Sequence, residues 1–119
     1  MLFLNAGVMP EGAIGPFSEH INADVQAVVT VNTLHPIYLA KVLIQQLVSR
    51  EHLSAIVVTS SGLGTVPVPY CLPYSCSKTF VSFLARGLSF ELEGRVECID
   101  WALGQVKTNL NKDPKGPNI

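Results

Sequence analysis

Charge is scarce in this sequence. Eight Lys+Arg stand against nine Asp+Glu in 119 residues, a formal net charge of −1, and charged residues make up 14% of the chain. The basic residues are scattered and form no run, which leaves no electrostatic footprint for nucleic acid or an anionic membrane surface. Cysteine is equally sparse. Cys71, Cys76 and Cys98 have neither metal-ligand spacing nor the even number of a disulfide framework, so they read as reduced thiols of an intracellular protein. His20, His35 and His52 show no ligand spacing either, and no metal site is expected. A long uninterrupted apolar run is missing too. Leu2-Phe3-Leu4 is too short for a signal-peptide core. The apolar region from Val25 to Val48 is broken by Asn32, His35, Pro36, Lys41, Gln45 and Gln46. It reads as a buried helix, so no transmembrane segment is expected in this chain.

What is abundant is apolar residues, 48% of the chain, enough for one core in one small domain. Leu2–Leu4 reads as the tail of a buried strand stopped by Asn5-Ala6-Gly7. Residues 10–18 hold Gly12, Gly15 and Pro16 and read as loop. Asn22 or Asp24 is placed to cap a helix running to about Arg50, kinked at Pro36, with Leu39, Val42, Leu43, Gln46 and Leu47 on its apolar face. The β-branched run inside Ser54–Ser60 predicts a strand buried on both faces. Ser61-Gly62-Leu63-Gly64 ends it, and Pro67, Pro69 and Pro73 keep the next segment extended. A second helix is expected from about Pro73 to about Glu93, with Val81, Phe83, Leu84, Leu88 and Leu92 inward. Val96–Ala102 forms a third strand, with Trp101 in the core. The tail over 111–119 reads as poorly ordered.

Strand, helix, strand, helix, strand implies a parallel sheet with right-handed crossovers. If the strands step in one direction, both helices cover one face and leave the other face and the first strand's edge bare.

The chemistry gathers around Tyr74-Ser75-Cys76-Ser77-Lys78, with Ser61 thirteen residues before the tyrosine. A helix puts positions i and i+4 on one face. An ammonium there favours the phenolate of its neighbour, making Tyr74 usable as a proton donor or acceptor. Ser61, at a strand end, is placed to hydrogen-bond the same reacting oxygen. Ser60 competes for that role but reads as structural. Gly62 and Gly64 lack the helix start and lysine of a phosphate loop and read as turn glycines.

These residues, in this order and spacing, resemble the catalytic half of a short-chain dehydrogenase/reductase. Asn5-Ala6-Gly7 is similar to the family's Asn-Ala-Gly turn, and Asn32 to its active-site asparagine. Ser61 and Tyr74-x-x-x-Lys78 match its serine and tyrosine–lysine motif. Leu103-Gly104-Gln105-Val106-Lys107-Thr108 is similar to its Pro-Gly-x-Val-x-Thr segment, with Leu103 in place of proline. The resemblance implies a partial Rossmann-type α/β fold over residues 1–110 and an oxidoreductase interconverting a carbonyl and a secondary alcohol. Tyr74 would exchange the proton, Lys78 would lower its pKa and hold the nicotinamide ribose, Ser61 would steady the carbonyl, and Asn32 would anchor a water in the relay. Asn5, Ala6, Gly7, Gly104, Val106 and Thr108 would touch NADP or NAD. Within the family, Val66-Pro67-Val68-Pro69 and the Tyr-Ser-x-Ser-Lys run are most similar to 3-oxoacyl and 17β-hydroxysteroid reductases. A lipid-like or steroid-like substrate would follow, in the cytoplasm, or at the endoplasmic reticulum if a full-length form is membrane-associated.

The 119 residues contain no Gly-x-x-x-Gly-x-Gly phosphate loop, whose helix N-terminus holds the pyrophosphate in such folds. The expectations are therefore that the family's N-terminal half is missing and that this chain alone binds nicotinamide cofactors weakly. The alternative to an enzyme is an inactive remnant. In the family the two long helices build a dimer, so association with another copy or a relative through them is expected.

Overall fold

The computed structural model describes residues 1–104. Val106, Thr108 and the tail over 111–119 lie outside the described residues. Three strands form one parallel sheet in the order β1 (Leu2–Leu4), β2 (Ser54–Ser61), β3 (Val96–Leu103). Between β1 and β2 the chain runs through α1 (Asn22–Val29), a π turn (Thr30–Leu34) and α2 (His35–Val48); α3 (Leu72–Glu91) joins β2 to β3. Side chains alternate across a strand, so the register decides what is covered. Leu4 is level with Val58 and Asp100, and Phe3 with Val57 and Ile99.

Leu4, Ile56, Val58 and Val96 from the sheet form a single buried cluster with Ala40 and Leu47 of α2 and Val81 and Ala85 of α3. Both long helices therefore lie on the same face, as the order of elements implied. Each fully buried valine or isoleucine here contributes about 1.5–3 kcal/mol relative to exposure. The other face carries Phe3, Ile99 and Trp101, all exposed. Trp101, expected in the core, is 52% exposed. It pairs in register with Thr59, on the face that points away from the helices.

Three helix expectations need correction. The helix stripe nearest the sheet is built from small residues, with Pro36, Ala40 and Leu47 buried on α2. Val42, expected on that stripe, is 75% exposed, and Phe83 of α3 is 66% exposed. Neither expected cap residue caps the first helix. The cap position is Ile21, with Asn22 already helical and no side-chain cap bond. The irregularity expected as a kink at Pro36 is a π turn one residue upstream of α2, closed by the His35 N–H on the Thr30 carbonyl. Pro36 has no N–H for the carbonyl four residues back, that of Asn32. The wider turn absorbs this defect and leaves proline in the first turn of α2, where a missing N–H costs nothing.

The uninterrupted helical stretch Asn22–Val48 is long and apolar enough to cross a membrane by length and composition. Here it supplies Ala40 and Leu47 to the core and Asn32 to a polar cluster described below.

Candidate active site

Parallel strands end together at one edge of the sheet, and the loops leaving those ends enclose a crevice. Asn5-Ala6-Gly7 leaves β1, Ser61 closes β2, and Gly104 follows β3. The first turns of α3 run alongside. Cys71 is its N-cap, Pro73 lies in its first turn, and Tyr74 and Lys78 follow on one face.

Tyr74 is 8% exposed and Lys78 5% exposed. The ammonium lies over the phenol ring, 5.5 Å from its centroid, and donates to the Thr59 carbonyl at 3.1 Å. Thr59 in turn donates its hydroxyl to Asn5 Oδ1 at 2.9 Å, joining the ends of β1 and β2. A Cβ at Gly7 would stand 3.1 Å from Lys78 Nζ, a tight contact that the lysine end would have to yield to by a few tenths of an ångström. The Ser61 hydroxyl lies near enough to the Tyr74 phenol to pull its pKa down, and it accepts the Leu63 N–H at 3.2 Å, capping the short turn Gly62–Gly64. Ser60 points to the other side of β2, where its hydroxyl binds Asp100. The two serines, successive in β2, thus face opposite sides of the sheet.

Burial pushes the Tyr74 phenol above its ordinary pKa; the Ser61 hydrogen bond pulls it back, and the nearby Cys71 thiol, when charged, adds to the rise. Burial pushes Lys78 below the usual ammonium range. The resemblance implied that Lys78 lowers the tyrosine pKa. In this geometry desolvation outweighs that pull: the ammonium sits over the ring and bonds a backbone carbonyl, and the downward influence comes from Ser61.

Asn32 is 1% exposed. Its Oδ1 accepts the Val8 N–H at 2.8 Å, and its Nδ2 donates to the Val8 carbonyl at 3.0 Å and to Ser77 Oγ at 3.1 Å. Ser77 passes a hydrogen bond on to the Tyr74 carbonyl at 2.7 Å. The asparagine thus ties the β1 loop to the turn of α3 that carries tyrosine and lysine. The π turn lets it reach inward from mid-helix, a use such insertions often serve.

Structure thus gathers Asn32, Ser61, Tyr74, Lys78 and Gly7 around one crevice. Asn5 is tied to it through Thr59, and Ala6 and Gly104 are exposed beside it. Several contributors escaped the sequence reading. Gly64 packs against the α3 backbone so closely that a Cβ would lie 2.8 Å from the Lys78 carbonyl carbon. Ser75 Oγ donates to the Leu63 carbonyl at 2.6 Å and Thr79 Oγ1 to the Gly64 carbonyl at 2.6 Å, stapling the loop to the helix. The signal was present: Ser75 and Thr79 are a second i, i+4 pair, offset by one residue from Tyr74 and Lys78. Beside the phenol, Cys71 Sγ lies 3.6 Å from Met9 Sδ.

The family model for short chain dehydrogenases matches residues 1–116. Among solved structures, a short chain dehydrogenase/reductase from Burkholderia phymatum in complex with NAD superposes with a TM-score of 0.83 at 29% identity, over 92% of this chain and 39% of its own. The bulky-bulky ketone specific alcohol dehydrogenase from Comamonas testosteroni gives 0.80 at 26% identity, over 94% and 44%. A gluconate 5-dehydrogenase from Burkholderia cenocepacia J2315, in complex with NADP and tartrate, shares the fold with a TM-score of 0.80 at 24% identity, over 93% and 42%. The chain spans less than half the length of each. No curated protein matches it.

Proposed function

The chain belongs to the short-chain dehydrogenase family, and on that premise we propose that its crevice serves the NAD(P)-dependent interconversion of a carbonyl and a secondary alcohol. The observation that carries this reading is the convergence of Ser61, Tyr74 and Lys78 at the sheet edge, with the Tyr74 phenol under the influence of the Ser61 hydroxyl and its ring under the Lys78 ammonium. The nicotinamide supplies or removes hydride when bound. Gly7, bare of a side chain beside Lys78, fits the nicotinamide end, with Asn5, Ala6 and Gly104 at its rim. Nothing in the 119 residues fits the pyrophosphate.

Tyr74 delivers a proton to, or takes one from, the substrate oxygen. Ser61 donates to that oxygen and holds it against the phenol. Lys78 orients the tyrosine and offers its ammonium to the ribose. The Asn32 side chain is committed to Val8 and Ser77. Its carbonyl, which Pro36 denies the usual bond from four residues on, is the group we assign to a relay water. An apolar, lipid-like or steroid-like substrate suits a crevice walled beside the phenol by Met9 and Cys71.

Titration calorimetry with NADPH and NADH, then turnover of a hydrophobic ketone, tests this. Turnover that Tyr74→Phe abolishes without loss of fold supports the assignment, and unchanged rates in that variant refute it. A second reading is favoured by the exposed Tyr38, Val42, Phe83 and Phe90 on α2 and α3. In it the chain is inactive and associates with a copy or relative through these helices. Absence of nicotinamide binding together with dimerisation abolished by Phe83→Glu would favour this reading.

A further inference from the structure

Asp100 sits in β3, level with Val58, on the helix-covered side of the sheet. Its two carboxylate oxygens are held by hydroxyls from two other elements. Ser60 of β2 donates to Oδ1, and Ser82 of α3 donates to Oδ2. Both partners adjoin the candidate site without belonging to it. Ser60 immediately precedes Ser61. Ser82 lies one helical turn beyond Lys78, which is itself one turn beyond Tyr74. A single side chain therefore joins the strand that carries the serine to the helix that carries the tyrosine and lysine.

We propose that Asp100 is a positioning residue for the Ser61–Tyr74 pair, setting the rotation and height of α3 over β2 so that the phenol meets the serine hydroxyl. The inference rests on the reading of that pair as the working centre. The chemistry suits the task. Hydrogen bonds to a carboxylate are shorter and stronger than those between neutral groups. Two of them on separate oxygens fix direction as well as distance. An apolar residue at this point of the sheet would pack on α3 equally well but would leave the helix free to turn. Asp100 touches no residue of the crevice, so its influence must travel through the two serines. At the opposite end of the same turn, Ser75 and Thr79 staple the loop after Ser61 onto α3. The helix is thus held at two separate levels, and Asp100 is the deeper one.

The test follows Tyr74 itself. In chain carrying ring-labelled tyrosine, the phenol carbon of Tyr74, assigned by its loss in Tyr74→Phe, is titrated by NMR. Ser61→Ala is expected to move the midpoint upward, because the serine hydroxyl pulls it down. Asp100→Ala is expected to move it in the same direction, although it contacts neither residue. Asp100→Asn, which keeps an acceptor for one serine and an amide for the other, should stay closer to wild type. A purely structural Asp100 would lower the melting temperature while the Tyr74 midpoint stayed at the wild-type value, and that result overturns the proposal. A shift in Ser61→Ala without one in Asp100→Ala overturns the positioning role alone. No shift in Ser61→Ala overturns the underlying pairing, and this inference with it. If Asp100→Ala does not fold, Ser82→Ala carries the test: removing one of the two grips should give a smaller shift of the same sign, and no shift overturns the proposal.

Discussion

Replacing Gly64 with alanine perturbs the site without touching any group that performs chemistry. An added Cβ would lie 2.8 Å from the Lys78 carbonyl carbon and 2.9 Å from both Lys78 Cβ and Thr79 N. Carbon atoms in contact settle at about 3.5–4.0 Å, so the loop and helix must separate by roughly 0.5–1 Å. The obstructing atoms belong mostly to helix backbone and cannot swing aside as a side-chain tip would. Overpacking of this kind costs about 1–3 kcal/mol. For a domain of this size, each kcal/mol lowers Tm by about 4–8 °C, so a fall of roughly 4–24 °C is expected. The adjoining glycines provide the contrast. At Gly62 an added Cβ would meet only the Leu103 carbonyl oxygen at 3.9 Å, and at Gly87 it would meet nothing within 4 Å. Gly62→Ala should therefore stay within about 0.5 kcal/mol of wild type. Gly87→Ala, in a helix interior, should gain about 0.5–1 kcal/mol. Urea melts of the three variants decide the matter. A Gly64→Ala protein within about 0.5 kcal/mol of wild type would show that the loop and helix part freely, and that this contact does not set the spacing of Ser61 and Tyr74.

Asn32→Leu should cost about 2–4 kcal/mol in urea denaturation, because it deletes three hydrogen bonds and strands the half-buried Val8 amide; a loss below about 1 kcal/mol would contradict the clamp. Lys78 binds its proton less tightly in the folded chain than in the unfolded one, so the unfolded state holds more protons in the window just below pH 10.5. Wild type should gain stability relative to Lys78→Met as the pH rises through that window, and a parallel pH profile for the two proteins would refute the lowered lysine pKa. Tyr74 carries the opposite sign: its folded pKa is raised. Wild type should therefore lose stability relative to Tyr74→Phe as the pH climbs from about 10, measured by the same melts.

Much of the site was legible because helical spacing is rigid. Tyr74 and Lys78 share a face wherever their helix packs, and Ser61 falls at a strand end because the β-branched run before it can only be buried sheet. The direction of the strand steps was legible only as a condition: strands stepping one way put both helices on one face, where they do lie. What escaped depends on contacts between segments distant in sequence. The buried stripe of α2 uses Ala40, a weak signal, while Val42 advertises a face that the described residues leave uncovered. Gly64 looks like any turn glycine until the helix backbone is seen against it. Asp100 stands in β3, on the side that faces the helices, but its partners Ser60 and Ser82 are 40 and 18 residues away. The π turn escaped because proline near a helix start and proline within a helix look alike in sequence.

The protonation of the site follows from its burial. Low polarity penalises charge on both groups, raising the phenol and lowering the ammonium. At neutral pH Tyr74 therefore stands protonated, and under the proposed function it would give its proton to an oxygen that gains negative charge. Running the other way, as a base, requires something that favours the phenolate. Of the groups in place, Ser61 is the one that pulls the phenol pKa down, whereas Lys78 spends one hydrogen bond on the Thr59 carbonyl. The ammonium carries three donors, and a second one turned toward the phenol oxygen would act at low dielectric, where each charge counts for more. A rotation of the lysine terminus is thus the smallest movement that converts the tyrosine from acid to base. Gly7, with no side chain to obstruct it, keeps the space for that rotation open.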